Sequence, residues 1–130
     1  MMRVLLVDDD PTVRQALTVV LRAMPSVAIL GEAADGKFAV ALARAMRPDI
    51  VIMDLDMPVM NGIDATRTIH ADCPRVRVIG LALEQSAQRV QAMLDAGAMA
   101  CLTSATALPA LLSALLRGRP STAAHPTQRQ

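Results

Sequence analysis

Ile50-Val51-Ile52-Met53-Asp54-Leu55-Asp56-Met57-Pro58-Val59-Met60-Asn61-Gly62 opens as a short, continuous, β-branched apolar run and turns acidic at Asp54. A second stretch has the same form: Val4-Leu5-Leu6-Val7 is followed by Asp8, Asp9, Asp10 and Pro11. Runs of this kind read as buried strands of a parallel sheet. If both are central strands of one sheet, their C-terminal ends lie side by side. The carboxylates then meet in the crevice where open α/β sheets bind ligands. Acids so crowded repel one another and persist when a hard cation joins them, and oxygen ligands with no His nearby favour Mg2+. A single Asp at a strand end is the ordinary helix cap, but capping does not account for two acidic clusters on neighbouring strands.

Strand and helix signals alternate outward from these two segments. Asp10 can cap a helix whose first position is Pro11 and whose stripe is Val13, Ala16, Leu17, Val20, Leu21 and Met24, ended by Pro25. Val27 to Ala33 reads as a strand and Gly36 to Met46 as an alanine-rich helix. Arg47-Pro48-Asp49 turns into strand 50–53, and a long turn from Leu55 to Gly62 leads to a helix through about Ala71. After Pro74, Val76 to Ala82 forms a fourth strand. Ser86 caps a helix with Val90, Met93 and Leu94 that ends at Gly97 in the C′ position. Met99 to Thr103 is a fifth strand, and Leu108, Leu111, Leu112, Leu115 and Leu116 stripe a last helix that stops at Gly118. A (βα)5 alternation implies an α/β fold: a parallel sheet with right-handed crossovers and helices on both faces, hence three layers. From Arg119 onward Pro, Ser, Thr, His and Gln dominate without periodicity, so residues 118–130 read as a linker after a 1–117 domain.

Composition narrows the function classes. Hydrophobic residues make up 53% of the 130, yet there is no Trp, no Tyr and one Phe, so the core must be aliphatic. A net charge of +1 leaves no basic face for nucleic acid and no polybasic membrane anchor. Cys73 and Cys101 lack metal-ligand spacing and are too few for a disulfide framework, which favours a reduced, cytoplasmic chain. No secretory signal is expected, because acids arrive at Asp8 before any long apolar stretch. The uncharged stretch from Ala96 to Leu116 is long enough to suggest a membrane span. It holds Gly97, Thr103, Ser104, Thr106 and Pro109, however, and divides into a short strand and an amphipathic helix of buried core.

Val7-Asp8-Asp9-Asp10-Pro11, together with the D-x-x-M-P-x-M-N-G pattern of Asp54 to Gly62, resembles the receiver domain of bacterial two-component response regulators. The resemblance covers roughly residues 2–117. It implies the flavodoxin-like doubly wound sheet, order 2-1-3-4-5, with the site at the switch point between strands 1 and 3. It also implies Asp54 as phosphoacceptor, with Mg2+ held by Asp9, Asp54 and the backbone carbonyl of Asp56, and by Asp8 mainly through metal-bound water. Asp10 caps the first helix rather than binding metal. Met57-Pro58 and Gly62 shape the loop, proline by fixing φ and glycine by permitting conformations that other residues resist. A sensor histidine kinase would be the phosphoryl donor. The wording around Val7–Leu17 and Ala92–Thr103 looks most like receivers joined to LuxR-type DNA-binding domains, so DNA would be reached only through an effector domain. Such a domain is no turnover enzyme, with at most self-phosphorylation and self-dephosphorylation chemistry.

The sequence departs from the family pattern in the other half of the site. Where receivers carry a Lys after strand 5, this chain has Ser104, and its only lysine is Lys37. Where they carry Thr or Ser at the end of strand 4 there is Ala82, and Cys101 replaces the strand 5 aromatic. A lost charge-assisted contact to phosphate is worth about 1.5–3 kcal/mol, which need not abolish phosphorylation. Two versions stay open: a receiver that is phosphorylated but switches atypically, and a phosphate-independent interaction or dimerisation module using the fourth helix, fifth strand and fifth helix. Asp54-Leu55-Asp56 also resembles the D-x-D nucleophile of haloacid-dehalogenase-type phosphatases, but no Lys follows it and the later acids are scattered. Glu84, two positions past Ala82, would disfavour an incoming anion, and His70 and His125 read as surface or linker residues.

Overall fold

β1 (Met2–Val7), β2 (Val27–Ala33), β3 (Ile50–Asp54), β4 (Arg77–Leu81) and β5 (Ala100–Leu102) pair in parallel in the order β2-β1-β3-β4-β5. This computed structural model describes residues 1–83 and 85–117. The expected linker, the Gly118 helix stop and Glu84 lie outside the described residues. The order 2-1-3-4-5 is the one expected, with the switch point, where the chain changes the side on which it adds strands, between β1 and β3.

Alternation along the strands divides the core. Leu5, Val7, Val51, Met53 and Val78 point to one face, where α2 (Gly36–Met46), α3 (Gly62–Asp72) and α4 (Ala87–Asp95) cover them with Ala39, Val40, Ala43, Ala65, Ile69 and Met93. Val4, Leu6, Ile50, Ile52, Ile79 and Leu81 point to the other, under Leu17 and Leu21 of α1 (Pro11–Arg22) and Leu108, Leu112 and Leu115 of α5 (Leu108–Leu116). Both faces are aliphatic, and the sole aromatic, Phe38, is exposed. Strands buried on both faces carry continuous apolar runs for this reason.

The helix starts follow the cap chemistry. Asp10, Asp35, Asn61 and Ser86 each accept a backbone N–H from the first turn of α1, α2, α3 and α4. The end of α4 is a Schellman turn: Gly97 N–H bonds the Leu94 carbonyl, Ala98 N–H bonds that of Met93, and Gly97 takes φ 119°. The uncharged Ala96–Leu116 stretch becomes β5, a 3-10 turn (Ala105–Ala107) and α5. Among the described residues no helix is long and apolar enough to cross a membrane.

Several details differ from the sequence expectations. β4 and β5 are each one residue shorter at both ends, although Ala82 and Met99 still donate to the neighbouring strand. The 3-10 turn before α5 was not anticipated; Ser104 caps it. Val20, Leu94 and Leu116 sit at the margins of their helix stripes and are exposed, while Leu21, Met93 and Leu115 carry the burial.

Candidate functional site

Val7 of β1 pairs with Met53 of β3, so the residues that follow them, Asp8 and Asp54, emerge together at one edge of the sheet. Asp8, Asp9 and Asp54 bring one carboxylate oxygen each to within 4.8 Å of one another. They open on a crevice of about 520 Å³ that Asp10, Asp56 and Leu83 also line. Asp8 is buried, Asp9 exposed, and Asp54 between the two. The clustering expected from the sequence is thus present in space for Asp8, Asp9 and Asp54. Asp10 lines the crevice but spends its carboxylate on capping α1, accepting from Thr12 N–H at 2.9 Å.

The electrostatics of this cluster are unfavourable when no cation is present. Burial and, after it, the neighbouring Asp8 charge push the Asp54 carboxyl up to about 7, against the pull of the Asp56 and Leu55 backbone N–H groups. Asp8 is also raised, chiefly by burial and further by Asp9 and Asp10. An N–H bond from Asp10 at 2.8 Å and the Arg14 charge oppose the rise. Arg14 is itself committed, donating to the Asp8 carbonyl at 2.6 Å and pairing with Glu32 at 2.8 Å. Three oxygen ligands and a shared negative charge suit a hard divalent cation, which would also free an Asp54 oxygen to act as a nucleophile.

The loop from Asp54 to Gly62 holds Asp54 by close packing. A Cβ on Gly62 would lie 1.8 Å from the Asp54 carbonyl oxygen, and Gly62 N–H bonds the Leu55 carbonyl at 2.8 Å. This corrects the expected role of Gly62. Its φ is ordinary for any residue, and what it supplies is space. The left-handed conformation falls instead on Val59 at φ 70°, a β-branched residue in a region such side chains resist, and it is 77% exposed.

Of the remaining expected positions, Asp56 lines the crevice, and Ala82, Cys101 and Ser104 do not. Ala82 is buried, its N–H bonded to the Leu102 carbonyl at 2.8 Å. Cys101 packs over Gly80, whose added Cβ would meet its Sγ at 3.0 Å, and burial pushes its thiol up to about 11. Ser104 spends its hydroxyl on the 3-10 turn, on Thr106 N–H and Thr106 Oγ1. The Asp56 side chain is bound by Gln85 Nε2, just before the Ser86 cap of α4, and by Arg89 Nη2 of α4, the latter at 2.6 Å. Neither contact was anticipated. The signal available was the order β3-β4 in the sheet, which seats the start of α4 beside the loop after β3.

Comparison with known proteins agrees with this geometry. The family model described as "Response regulator receiver domain" matches residues 4–116. The chain is 43% identical over 102 residues to protein-glutamate methylesterase/protein-glutamine glutaminase 4 of Myxococcus xanthus, covering 78% of this chain and 29% of that protein. It is 39% identical over 102 residues to the transcriptional regulatory protein LiaR of Bacillus subtilis, covering 78% and 48%. It thus spans half or less of these curated relatives. A two-component response regulator of the LuxR family from Aurantimonas sp. SI85-9A1 superposes with TM-score 0.82 at 35% identity, covering 90% of this chain and 86% of that one. The response regulator domain of Thermotoga maritima CheB does so with TM-score 0.78 at 32% identity, covering 93% and 98%. An acidic crevice at the β1/β3 switch point, the order 2-1-3-4-5 and a match along almost the whole described chain converge: the chain belongs to the receiver domains of two-component response regulators.

Proposed function

We propose that this domain accepts a phosphoryl group on Asp54 from a phosphohistidine of a sensor histidine kinase. Asp8, Asp9, Asp54 and the Asp56 carbonyl would hold Mg2+. The observation that carries the reading is the convergence of the Asp8, Asp9 and Asp54 oxygens within 4.8 Å at the end of the two central strands. Receiver domains bind Mg2+ at such an acidic pocket and interact with histidine kinases and phosphotransfer partners.

An Asp54 carboxylate oxygen attacks phosphorus, a P–O bond forms, the P–N bond to the kinase imidazole breaks, and the imidazole takes back the electron pair. When bound, Mg2+ held by Asp8, Asp9, Asp54 and the Asp56 carbonyl would supply positive charge against the phosphoryl oxygens and the carboxylates. The chain's own share is positional. Gly62 packs α3 against the Asp54 carbonyl, while the Asp56 and Leu55 N–H groups favour the charged form of the carboxyl. The domain is a phosphoacceptor, and the methylesterase activity in the Myxococcus xanthus protein's name belongs to that protein, of which this chain covers 29%.

Output is atypical in this reading. Ala82 has no hydroxyl, Cys101 replaces an aromatic, and the Ser104 hydroxyl is committed to a turn. A phosphate-independent interaction module is the second reading, favoured by those same three positions. In both, a homodimer forms through α4, β5 and α5, where Leu94 and Leu116 are exposed. Residues 118–130 then lead to an effector domain, such as the DNA-binding part of a LuxR-type regulator, acting in the cytoplasm. Incubation with Mg2+ and a small-molecule phosphodonor, read by intact mass, tests the acceptor. One phosphoryl adduct, absent from Asp54→Asn, is expected; its absence with Mg2+ binding confirmed would leave the second reading.

A further inference from the structure

Asp56 lies two residues beyond Asp54, and its backbone N–H favours the charged form of the Asp54 carboxyl. Its side chain accepts instead from Gln85, just before α4, and from Arg89 Nη2 in the first turn of α4 at 2.6 Å. That ion pair is open to solvent, its side chains 39% and 58% exposed, so it is screened and weak. Arg89 also has a donor to spare: its Nε is buried with no hydrogen-bond partner among the described residues. Arg14, the cation on the Asp8 side of the crevice, is held by the Asp8 carbonyl and Glu32 and is 19% exposed. Arg89 is therefore the guanidinium that can leave its partner at little loss while staying beside the crevice.

We propose that Arg89 is the phosphoryl-binding residue of this domain, exchanging the Asp56 carboxylate for a phosphoryl group on Asp54 and carrying the start of α4 with it. The inference rests on Asp54 being the acceptor. A phosphoryl group adds charge and three acceptor oxygens where a single carboxylate stood, and a planar guanidinium binds such oxygens in pairs. Because Arg89 sits in the first turn of α4, after the Ser86 cap, its movement is movement of that helix. The contact exists only in the phosphorylated state, which is the condition for a ligand to shift a conformational equilibrium. It would supply both functions whose usual residues are replaced here by Ser104 and Ala82: binding the phosphate charge, and reporting it.

The test compares wild type, Arg89→Gln and Arg89→Lys, each with Mg2+ and a small-molecule phosphodonor. Adduct lifetime is read by intact mass, and backbone amide hydrogen exchange is followed over Ala87–Asp95. Thermal melts without phosphodonor check that the variants fold. Loss of one charge-assisted phosphate contact corresponds to about a tenfold to hundredfold loss. The expected result is an adduct at least about tenfold shorter-lived in Arg89→Gln, partly restored in Arg89→Lys, with the α4 exchange response present in wild type and absent in Arg89→Gln. Equal adduct lifetimes and equal α4 responses in wild type and Arg89→Gln would overturn the role of Arg89 while leaving Asp54 as acceptor. No adduct on any of the three, with all folded and binding Mg2+, would overturn the proposed function and this inference together.

Discussion

Replacing Asp54 by Asn should make the metal-free domain more stable at neutral pH, although it removes the proposed phosphoacceptor. Asn keeps an acceptor for the Asp56 and Leu55 N–H groups but never carries charge into the Asp8–Asp9–Asp54 cluster. In the unfolded chain Asp54 ionises near its ordinary 3.8, whereas in the folded chain it does so at about 7. Between these values the folded state binds more protons, so stability falls as pH rises from about 4 to about 7, and the loss is complete above that window. A difference of about 3 units sets a ceiling of about 4 kcal/mol. Asp54 is partly exposed, and solvent screening brings the expectation to about 2 kcal/mol. For a domain of this size that is a rise in Tm of about 5–10 °C for Asp54→Asn at pH 7.5 in EDTA. The two proteins should converge below the ordinary 3.8 of the unfolded carboxyl. Melts followed by far-UV circular dichroism measure this without needing a tryptophan. Millimolar Mg2+ should raise the wild-type Tm and narrow the gap, because the cation relieves the repulsion that the mutation removes. A variant less stable than wild type at pH 7.5, or a gap of constant size from pH 4.5 to 8, would refute the electrostatic account of the cluster.

Gly62→Ala places a methyl 1.8 Å from the Asp54 carbonyl oxygen, and a loss of about 3 kcal/mol is expected in urea denaturation, since backbone cannot yield as a side chain can. A loss under about 1 kcal/mol would mean that α3 slides freely against β3. Val59→Gly relieves a left-handed β-branched residue, worth about 1–2 kcal/mol, against about 0.4–1 kcal/mol of added freedom in the unfolded chain; a net gain of about 0.5–1 kcal/mol should appear in the same assay. Asp10→Ala removes the α1 cap and should lower stability by about 1 kcal/mol. Mg2+ affinity, measured by calorimetry, should change little in that variant, as expected of a residue that caps rather than coordinates.

What could be read from the sequence was whatever depends on neighbours along the chain. Runs such as Ile50–Met53 declare buried parallel strands because both sides of each are covered, and Asp10 and Ser86 declare helix starts because capping is local. The meeting of Asp8, Asp9 and Asp54 was readable one step further, since the order of strands brings two ends together. Contacts made through space alone were not. Nothing near Arg89 in the chain indicates that its partner is Asp56, 33 residues away. Gly62 was correctly singled out but for the wrong reason: its motif looks like a turn glycine, while the positive φ belongs to Val59 and Gly62 serves a contact with β3. The 3-10 turn at Ala105–Ala107 is too short for a periodic signal.

The sheet also partitions any spectroscopic signal. Adjacent residues of one strand, Ile52 and Met53 or Ile79 and Val78, report on opposite sides of the domain, with no tryptophan or tyrosine ring to shift their resonances. In a methyl-labelled NMR spectrum, an event at Asp54 relayed to α4 would perturb Met53, Val78 and Met93. The methyls of Ile52, Ile79 and Leu112 would stay in place. An event relayed to α1 or α5 would give the reverse pattern, so one spectrum assigns the direction in which the site speaks.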